Sequence, residues 1–239
     1  MIAPSLSCEQ SKLVAFAESI PGQLFPLECK PRVIEDELAT RTTAGNRIEL
    51  SAKSWDVLHQ QQRVAECRVV NIQGTSLEIL NVMIFPENPD TLPIFVIETL
   101  ITGGMPRLAF VDLQSARMSE ENASQVKSQT AALKCRYQGL ANAKQPPEWA
   151  IRYSLGEYIF ASPEGINNKN TLETLFCDAL RTWVQVVLDS DQANLSSLSL
   201  SEMQRFKEDH VRESPVAPYL GKLFGPQWAE AFLNQFLYR

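Results

Sequence analysis

The chain has 239 residues, a formal net charge of -6 and a sequence pI of about 5.1. This acidic balance argues against nucleic acid as the main partner, because phosphate binding needs a basic surface. No apolar run approaches the roughly 20 residues that span a bilayer, and the N-terminus lacks the pattern of a signal peptide. We therefore expect one domain over residues 1–239 and no membrane span.

The N-terminal part is predicted to mix short elements. Apolar spacing predicts a helix over residues 9–20, ended by Pro21-Gly22. Residues 25–47 carry prolines and an acidic run, which favour an extended and partly exposed segment. Residues 48–50 are predicted to form a short strand.

Four apolar segments with short links follow, and they predict an antiparallel meander, because parallel strands need long crossovers. The turn between the last two contains Gly103-Gly104. The predicted strands cover residues 64–72, 77–85, 94–101 and 108–113.

The third of these strands carries one carboxylate, Glu98, among apolar residues on both alternating faces. If other structure covers both faces, burial disfavours the ionised form and raises the pKa, which suits a proton donor near neutral pH. The alternative is an acid near the sheet edge, or one bonded to a polar neighbour. The strand pattern taken alone favours this alternative.

The second half of the chain is predicted to be mostly helical, with one further strand. Helices are predicted over residues 119–143, 171–188, 199–212, 215–224 and 226–238, with an aromatic strand over residues 149–161. A helix, an antiparallel sheet and then mostly helices predict an α+β fold, a three-layer α/β/α sandwich around a central antiparallel sheet.

Motifs for metals and nucleotides are missing from the sequence. The five cysteines form no CxxC pair, and the two histidines, His59 and His210, lie far apart. This pattern argues against a zinc site, an iron–sulfur cluster or a disulfide framework. Glycine-rich dinucleotide and P-loop motifs are absent as well.

An ordered set of short motifs runs from the predicted sheet to the end of the sequence. In the sheet region they are LEILN at 77–81, IFPE at 84–87, LPIF at 92–95 and VDLQ at 111–114. Pro146-Pro147 before Trp149 comes next, and in the tail follow RESP at 212–215, LFG at 223–225, WAE at 228–230 and FL at 236–237. This ordered set resembles the ferredoxin-dependent bilin reductases, the family of the phycocyanobilin, phycoerythrobilin and phytochromobilin synthases.

The resemblance implies a linear tetrapyrrole, such as biliverdin or dihydrobiliverdin, bound between the sheet and the C-terminal helices. It implies that external ferredoxin delivers electrons singly, with no bound cofactor, while the protein supplies protons. It further implies a monomer that works in a cyanobacterium-like cytoplasm or in the plastid stroma.

The resemblance also implies roles for single residues. Glu98 lies where the family has its central aspartate, so it is the candidate proton donor, and Asn81 lies at a second catalytic position. Met83 is a candidate for substrate contact. Ser214 stands where many members have a second aspartate, and a hydroxyl cannot replace that acid; Glu213 or His210 are the alternatives.

Basic side chains are the candidates for holding the substrate propionates through charge-assisted bonds. They are Arg68, Arg107, Arg152 and Arg212. Lys207, Arg212 and Lys222 are candidates for docking acidic ferredoxin, although a solvated helix face is the favoured explanation for them.

Four functions stay open. The leading one is a ferredoxin-dependent bilin reductase that uses Glu98 and Asn81. The second is a bilin-binding relative without reductase activity, suggested by Ser214. The third is a reductase of another linear tetrapyrrole, such as a chlorophyll breakdown product. The fourth is an unrelated interaction protein with the same sandwich.

Overall fold

The centre of the protein is one antiparallel sheet of eight strands. The structure, a computed structural model, describes residues 11–43, 45, 47–140, 145–161, 169–190 and 197–239. The strands are β1 (Glu28–Pro31), β2 (Thr40–Thr42), β3 (Ile48–His59), β4 (Gln62–Gly74), β5 (Leu77–Pro86), β6 (Ile94–Thr102), β7 (Met105–Gln114) and β8 (Ile159–Ala161).

The strand order confirms the predicted meander. The sheet runs β1-β3-β4-β5-β6-β7-β8. Strand β2 pairs with the N-terminal part of β3, whereas β1 pairs with its C-terminal part. Gly103 and Gly104 both have positive φ and join β6 to β7 as a two-residue turn. The strand predicted over residues 48–50 is longer than expected, because β3 pairs with β4 as far as His59.

Helices cover both faces of the sheet, as the sandwich prediction requires. One face packs against α1 (Lys12–Gln23), α3 (Glu120–Arg136) and α5 (Lys169–Asp189), and the other against the C-terminal helices. The latter are α6 (Ser197–Glu213), α7 (Val216–Phe224), α8 (Pro226–Phe232) and a π-helical turn (Leu233–Leu237). Within the described residues there are also two short helices, α2 (Asp36–Ala39) and α4 (Glu148–Ile151), and a 3₁₀ turn (Gln138–Leu140).

The apolar composition of the central strands follows from this layering. Alternate residues of β6 enter different cores: Phe95 and Ile97 face the α5 side, whereas Ile94 and Val96 face the C-terminal helices. The indole Nε1 of Trp183 on α5 donates to the carbonyl oxygen of Pro93, at 3.0 Å, and anchors that helix at the start of β6.

Two sequence predictions differ from the structure. The sequence predicts one strand over residues 149–161, but the only strand there is Ile159–Ala161, paired with β7, and Ser154 adds a single isolated bridge to Gln114. Its first part is α4, which begins directly after Pro147, and Gly156 with φ +95° separates the two pieces. The N-terminal helix does not end at Pro21: it begins after its N-cap Ser11 and includes Pro21 in its last turn.

Candidate active site

The centre of the site is a pair of side chains on neighbouring strands. Asn81 of β5 lies directly opposite Glu98 of β6 in the antiparallel register. The Asn81 Nδ2 group donates to Oε1 of Glu98 at 3.1 Å. Both residues share the sheet face of Met83 and Val96, which is the face covered by the C-terminal helices.

The environment of Glu98 favours its protonated form. Part of the side chain stays accessible, yet the surrounding protein removes most of the water around the carboxyl. This desolvation raises the pKa of Glu98 to about 7, and the hydrogen bond from Asn81 offsets only part of the shift. A carboxyl with this pKa can hold and release a proton near neutral pH.

The amide of Asn81 has an unused acceptor. Asn81 is buried, and its Oδ1 has no hydrogen-bond partner among the described residues. Buried amide oxygens are normally satisfied, so an orphan acceptor beside an acid is an unusual feature. An N–H group of a bound molecule would satisfy it.

A second carboxyl with a raised pKa lies on the same face. Asp112 of β7 pairs with Val96, which places it diagonally across from Glu98, whose own partner on β7 is Phe110. Asp112 is 2% exposed and accepts hydrogen bonds from Gln114 Nε2 (3.1 Å) and Ser154 Oγ (3.0 Å). Burial raises its pKa to about 7 despite these bonds.

Asp112 was not among the candidates from the sequence. The signal that could have found it is the alternation of side chains along the strand. On β7, positions 110, 112 and 114 share one face, and the pairing of β7 with β6 puts that face on the same side of the sheet as Glu98. The register between two strands is needed to use this signal, and it is not readable from either strand alone.

The remaining candidates on this side of the molecule are Met83 and Ser214. Met83 is fully buried beside Asn81 and between Arg68 and Val96. Ser214 is buried at the end of α6, where its Oγ accepts from the N–H of Val216 at 3.3 Å. The Ser214 hydroxyl therefore helps to start α7 and brings no acid to the site.

The four candidate arginines have other partners in the structure. Arg68 is buried and bonds Glu66 and main-chain carbonyls of residues 237 and 239. Arg107 lies exposed at the β6–β7 turn, where its Nε donates to Thr102. The structure does not bring Arg68 or Arg107 to Glu98 as free cations for a propionate.

Arg152 and Arg212 belong to an ionic network along α6. Arg152 binds both carboxylate oxygens of Glu213 at 2.7 Å, and Arg212 pairs with Asp209 and Glu213. These cations hold the pKa of Glu213 below its usual range, so Glu213 is a poor proton donor. Among the docking candidates, Lys222 is exposed, whereas Lys207 is half-buried.

The helical wall opposite the sheet carries two further polar rings. His210 of α6 is buried against Phe206, with ring centroids 4.0 Å apart, and its Nδ1 faces the Phe206 carbonyl oxygen at 2.9 Å. Tyr238 lies 5.8 Å from the His210 ring. Burial lowers the pKa of His210, so the imidazole is neutral at physiological pH.

Comparison with known proteins decides the family. A sequence profile of the family described as ferredoxin-dependent bilin reductase matches residues 17–239. The chain belongs to the ferredoxin-dependent bilin reductases. The sequence resemblance is confirmed, and with it the expectation that the protein is an oxidoreductase of a family that uses ferredoxin.

Two bilin reductases of Nostoc punctiforme are similar to the chain over most of its length. A 15,16-dihydrobiliverdin:ferredoxin oxidoreductase is 24% identical over 230 residues, which cover 93% of either chain. A phycoerythrobilin:ferredoxin oxidoreductase is 23% identical over 220 residues, covering 87% of this chain and 83% of the relative.

The fold is also that of a solved bilin reductase. A crystal structure of tomato phytochromobilin synthase in complex with biliverdin aligns with a TM-score of 0.76 and 18% identity, covering 95% of this chain and 82% of the other. No helix in the described part of the chain is long and apolar enough to cross a membrane.

Proposed function

We propose that the protein reduces a linear tetrapyrrole of the biliverdin or dihydrobiliverdin type with electrons from ferredoxin, and that Glu98 supplies a proton. The observation that carries the proposal is the Asn81–Glu98 pair, in which a carboxyl with a pKa of about 7 lies beside an unsatisfied amide oxygen. The cyanobacterial relatives support a cytoplasmic location.

The roles of the two residues follow from their chemistry. One electron from ferredoxin enters the conjugated pigment, which then becomes more basic. Protonated Glu98 gives its proton to the pigment radical and is left as a carboxylate. The Asn81 Oδ1 accepts from a pyrrole or lactam N–H of the pigment, while its Nδ2 keeps bonding Glu98.

A second electron and a second proton complete the reduction of one double bond, which is reaction at a CH–CH group. Ser214 cannot supply this proton, because its hydroxyl has a high pKa and is engaged at the start of α7. We propose that Glu98 takes up a new proton from solvent between the two electron transfers, which its partial accessibility allows.

One observation favours a second candidate function. The buried Ser214 stands where many bilin reductases have an acid, and the alternative acid Glu213 is neutralised by Arg152 and Arg212. A protein that binds a linear tetrapyrrole without reducing it needs only the orienting groups, so this chain as a pigment-binding protein is the alternative.

Anaerobic turnover separates the two functions. Biliverdin and 15,16-dihydrobiliverdin are each mixed with the purified protein and reduced ferredoxin, and products are separated by chromatography. The proposed reductase consumes at least one pigment, and Glu98→Gln abolishes this while Glu49→Gln, at an exposed acid of β3, does not. A pigment spectrum that shifts on binding but never changes on reduction supports the alternative.

A further inference from the structure

Arg68 of β4 clamps the end of the described chain against the sheet. Arg68 is 3% exposed, and its Nη1 donates to the carbonyl oxygen of Leu237 at 3.0 Å. Its Nη2 donates to the carbonyl oxygen of Arg239 at 3.4 Å. These two carbonyls lie on either side of Tyr238, so one side chain fixes the main chain both before and after that residue.

The clamp is itself held in place by a charge network. Arg68 Nε donates to Oε1 of Glu66 at 2.8 Å, and the guanidinium lies over the ring of Phe85 at 4.9 Å. Ser54 and Arg32 donate to the same carboxylate. A buried guanidinium with a charged partner and a stacked ring has little freedom to move, so it acts as a rigid anchor.

A second cation from α6 reinforces the same contact. Lys207 also donates to the carbonyl oxygen of Arg239 and lies over the Phe85 ring at 5.0 Å. Burial lowers the pKa of Lys207 to about 8, so the ammonium is still charged at neutral pH. Strand β4 and helix α6 thus hold the chain end jointly.

The clamped segment places Tyr238 in the apolar cluster on the sheet face of Glu98, together with Met83 and Val96. The Tyr238 N–H donates to the Leu233 carbonyl oxygen at 2.8 Å, and its side chain is 5% exposed. Burial raises the pKa of Tyr238, and the charge of Glu98 adds to the shift, so the phenol lies within electrostatic reach of that carboxyl. The register agrees, because Arg68, Met83 and Val96 form one row across the sheet, beside the row of Asn81 and Glu98.

We propose that Arg68 is a positioning residue of this site: it clamps the main chain on both sides of Tyr238 and so holds the Tyr238 side chain as a cover that limits the contact of Glu98 with water. Arg68 does not contact the substrate in this role. It keeps the acid protonated by limiting its hydration, while the accessible part of Glu98 still exchanges protons with solvent.

Several polar groups lie around Glu98 and influence its titration. On the sheet they are Asn81, bonded directly to Glu98, and the diagonal Asp112. On the helical side they are Tyr238 and, beside it, His210. None of them is substituted in Arg68→Met, and Tyr238 is the one that the proposal expects to move, so a change in the titration of Glu98 reports on the clamp.

The experiment is a titration of Glu98 by infrared difference spectroscopy, without pigment or ferredoxin. Each curve is corrected with the matching Glu98→Gln form. In Arg68→Met we expect the midpoint to fall by about one pH unit or more from near 7 towards the ordinary glutamate value. The matched control is Arg63→Met, because Arg63 binds the same Glu66 carboxylate from an exposed position, and its midpoint stays unchanged.

Variants at Tyr238 keep the proposal testable if Arg68→Met does not fold. Tyr238→Ala removes the cover and lowers the midpoint, whereas Tyr238→Phe keeps the ring and leaves it unchanged. The proposal is overturned if folded Arg68→Met or Tyr238→Ala titrates like the wild type, or if Tyr238→Phe lowers the midpoint as far as Tyr238→Ala.

The titration does not depend on the proposed reductase activity. Only the functional role of the protonated Glu98 rests on that proposed function. If the wild type reduces no bilin but the midpoint falls in Arg68→Met, the clamp is supported and the proposed function fails. If bilins are reduced and the midpoint does not move, the clamp alone fails.

Discussion

At the scale of single residues, Glu98 owes its chemistry to its place in the sheet rather than to a neighbouring charge. Burial raises its pKa, and the only described bond that opposes the shift is the one from Asn81. A pKa of about 7 leaves a large share of the carboxyl protonated at neutral pH, which a general acid requires. The Asn81 amide orients the carboxyl without supplying a charge.

The rate of bilin reduction should therefore depend on pH through Glu98. The protonated form is the active one, so single-turnover rates are highest below the pKa and fall as pH rises through about 7. Glu98→Gln should lose at least about a hundredfold in rate, in line with general acid catalysis. Glu98→Asp, which keeps the acid but shortens the side chain, should retain the fall with pH at a lower rate.

Stopped-flow absorbance between pH 5.5 and 8.5, with pigment saturating, measures these rates. Glu49→Gln is the control, because it removes an exposed glutamate from the same sheet. A flat profile in the wild type, together with full activity in Glu98→Gln, would contradict the role given to Glu98.

The residues of the site were predictable only in part. Glu98 stood out in a strand whose two faces are apolar, and the family motif singled out Asn81. Arg68 is a candidate for substrate binding from the sequence, and in the structure it bonds Glu66 and two carbonyl oxygens that lie 169 and 171 residues away in sequence. No local pattern in the sequence contains such contacts. A basic residue on a strand looks the same in the sequence whether it binds substrate or holds the main chain.

At the scale of elements, strands were easier to predict than the connections between helices and strands. The meander follows from short links and apolar runs, which local sequence contains. Residues 149–161 are aromatic and apolar enough for a strand, yet the first turn after Pro147 is helical and docks on α6. There the hydroxyl of Tyr153 donates to Asp209 at 2.6 Å, a contact between elements that composition does not encode.

The junction between α7 and α8 offers a test of one such connection. Gly225 ends α7 with φ 97° and ψ 144°, a conformation open essentially to glycine alone, and Pro226 begins α8 directly afterwards. We expect Gly225→Ala to lower the free energy of unfolding by about 1–3 kcal/mol, although nothing crowds the new methyl group.

The matched control is Gly221→Ala in the same helix. Its backbone is helical and a methyl group there would meet the Pro226 Cα at 3.6 Å, an ordinary contact, so the change should be neutral or stabilising by up to about 1 kcal/mol. Urea denaturation of both variants measures the difference. Equal effects of the two alanines would show that backbone conformation at residue 225 is not the cause.

At the scale of the whole molecule, the two buried acids link stability to pH. Glu98 and Asp112 have pKa values of about 7 in the folded state and about 4 in the unfolded chain. Between these values the folded state binds more protons, so the stabilisation is complete below about pH 4 and is lost as pH rises through about 7. At Asp112, which is almost fully buried, the loss is on the order of 4 kcal/mol.

Other groups change the wild-type curve, so the double variant Glu98→Gln/Asp112→Asn is the necessary reference. His210 has a lowered pKa and therefore adds stability as pH rises towards 6.5, and Lys207 does the same above about pH 8. These contributions are common to both proteins and cancel in their difference. The free energy of unfolding, measured in urea from pH 5 to 9, should fall more steeply with pH in the wild type than in the variant. Parallel curves across that range would mean that the fold holds neither acid in its protonated form. The two carboxyl groups would then be as hydrated as those on the protein surface.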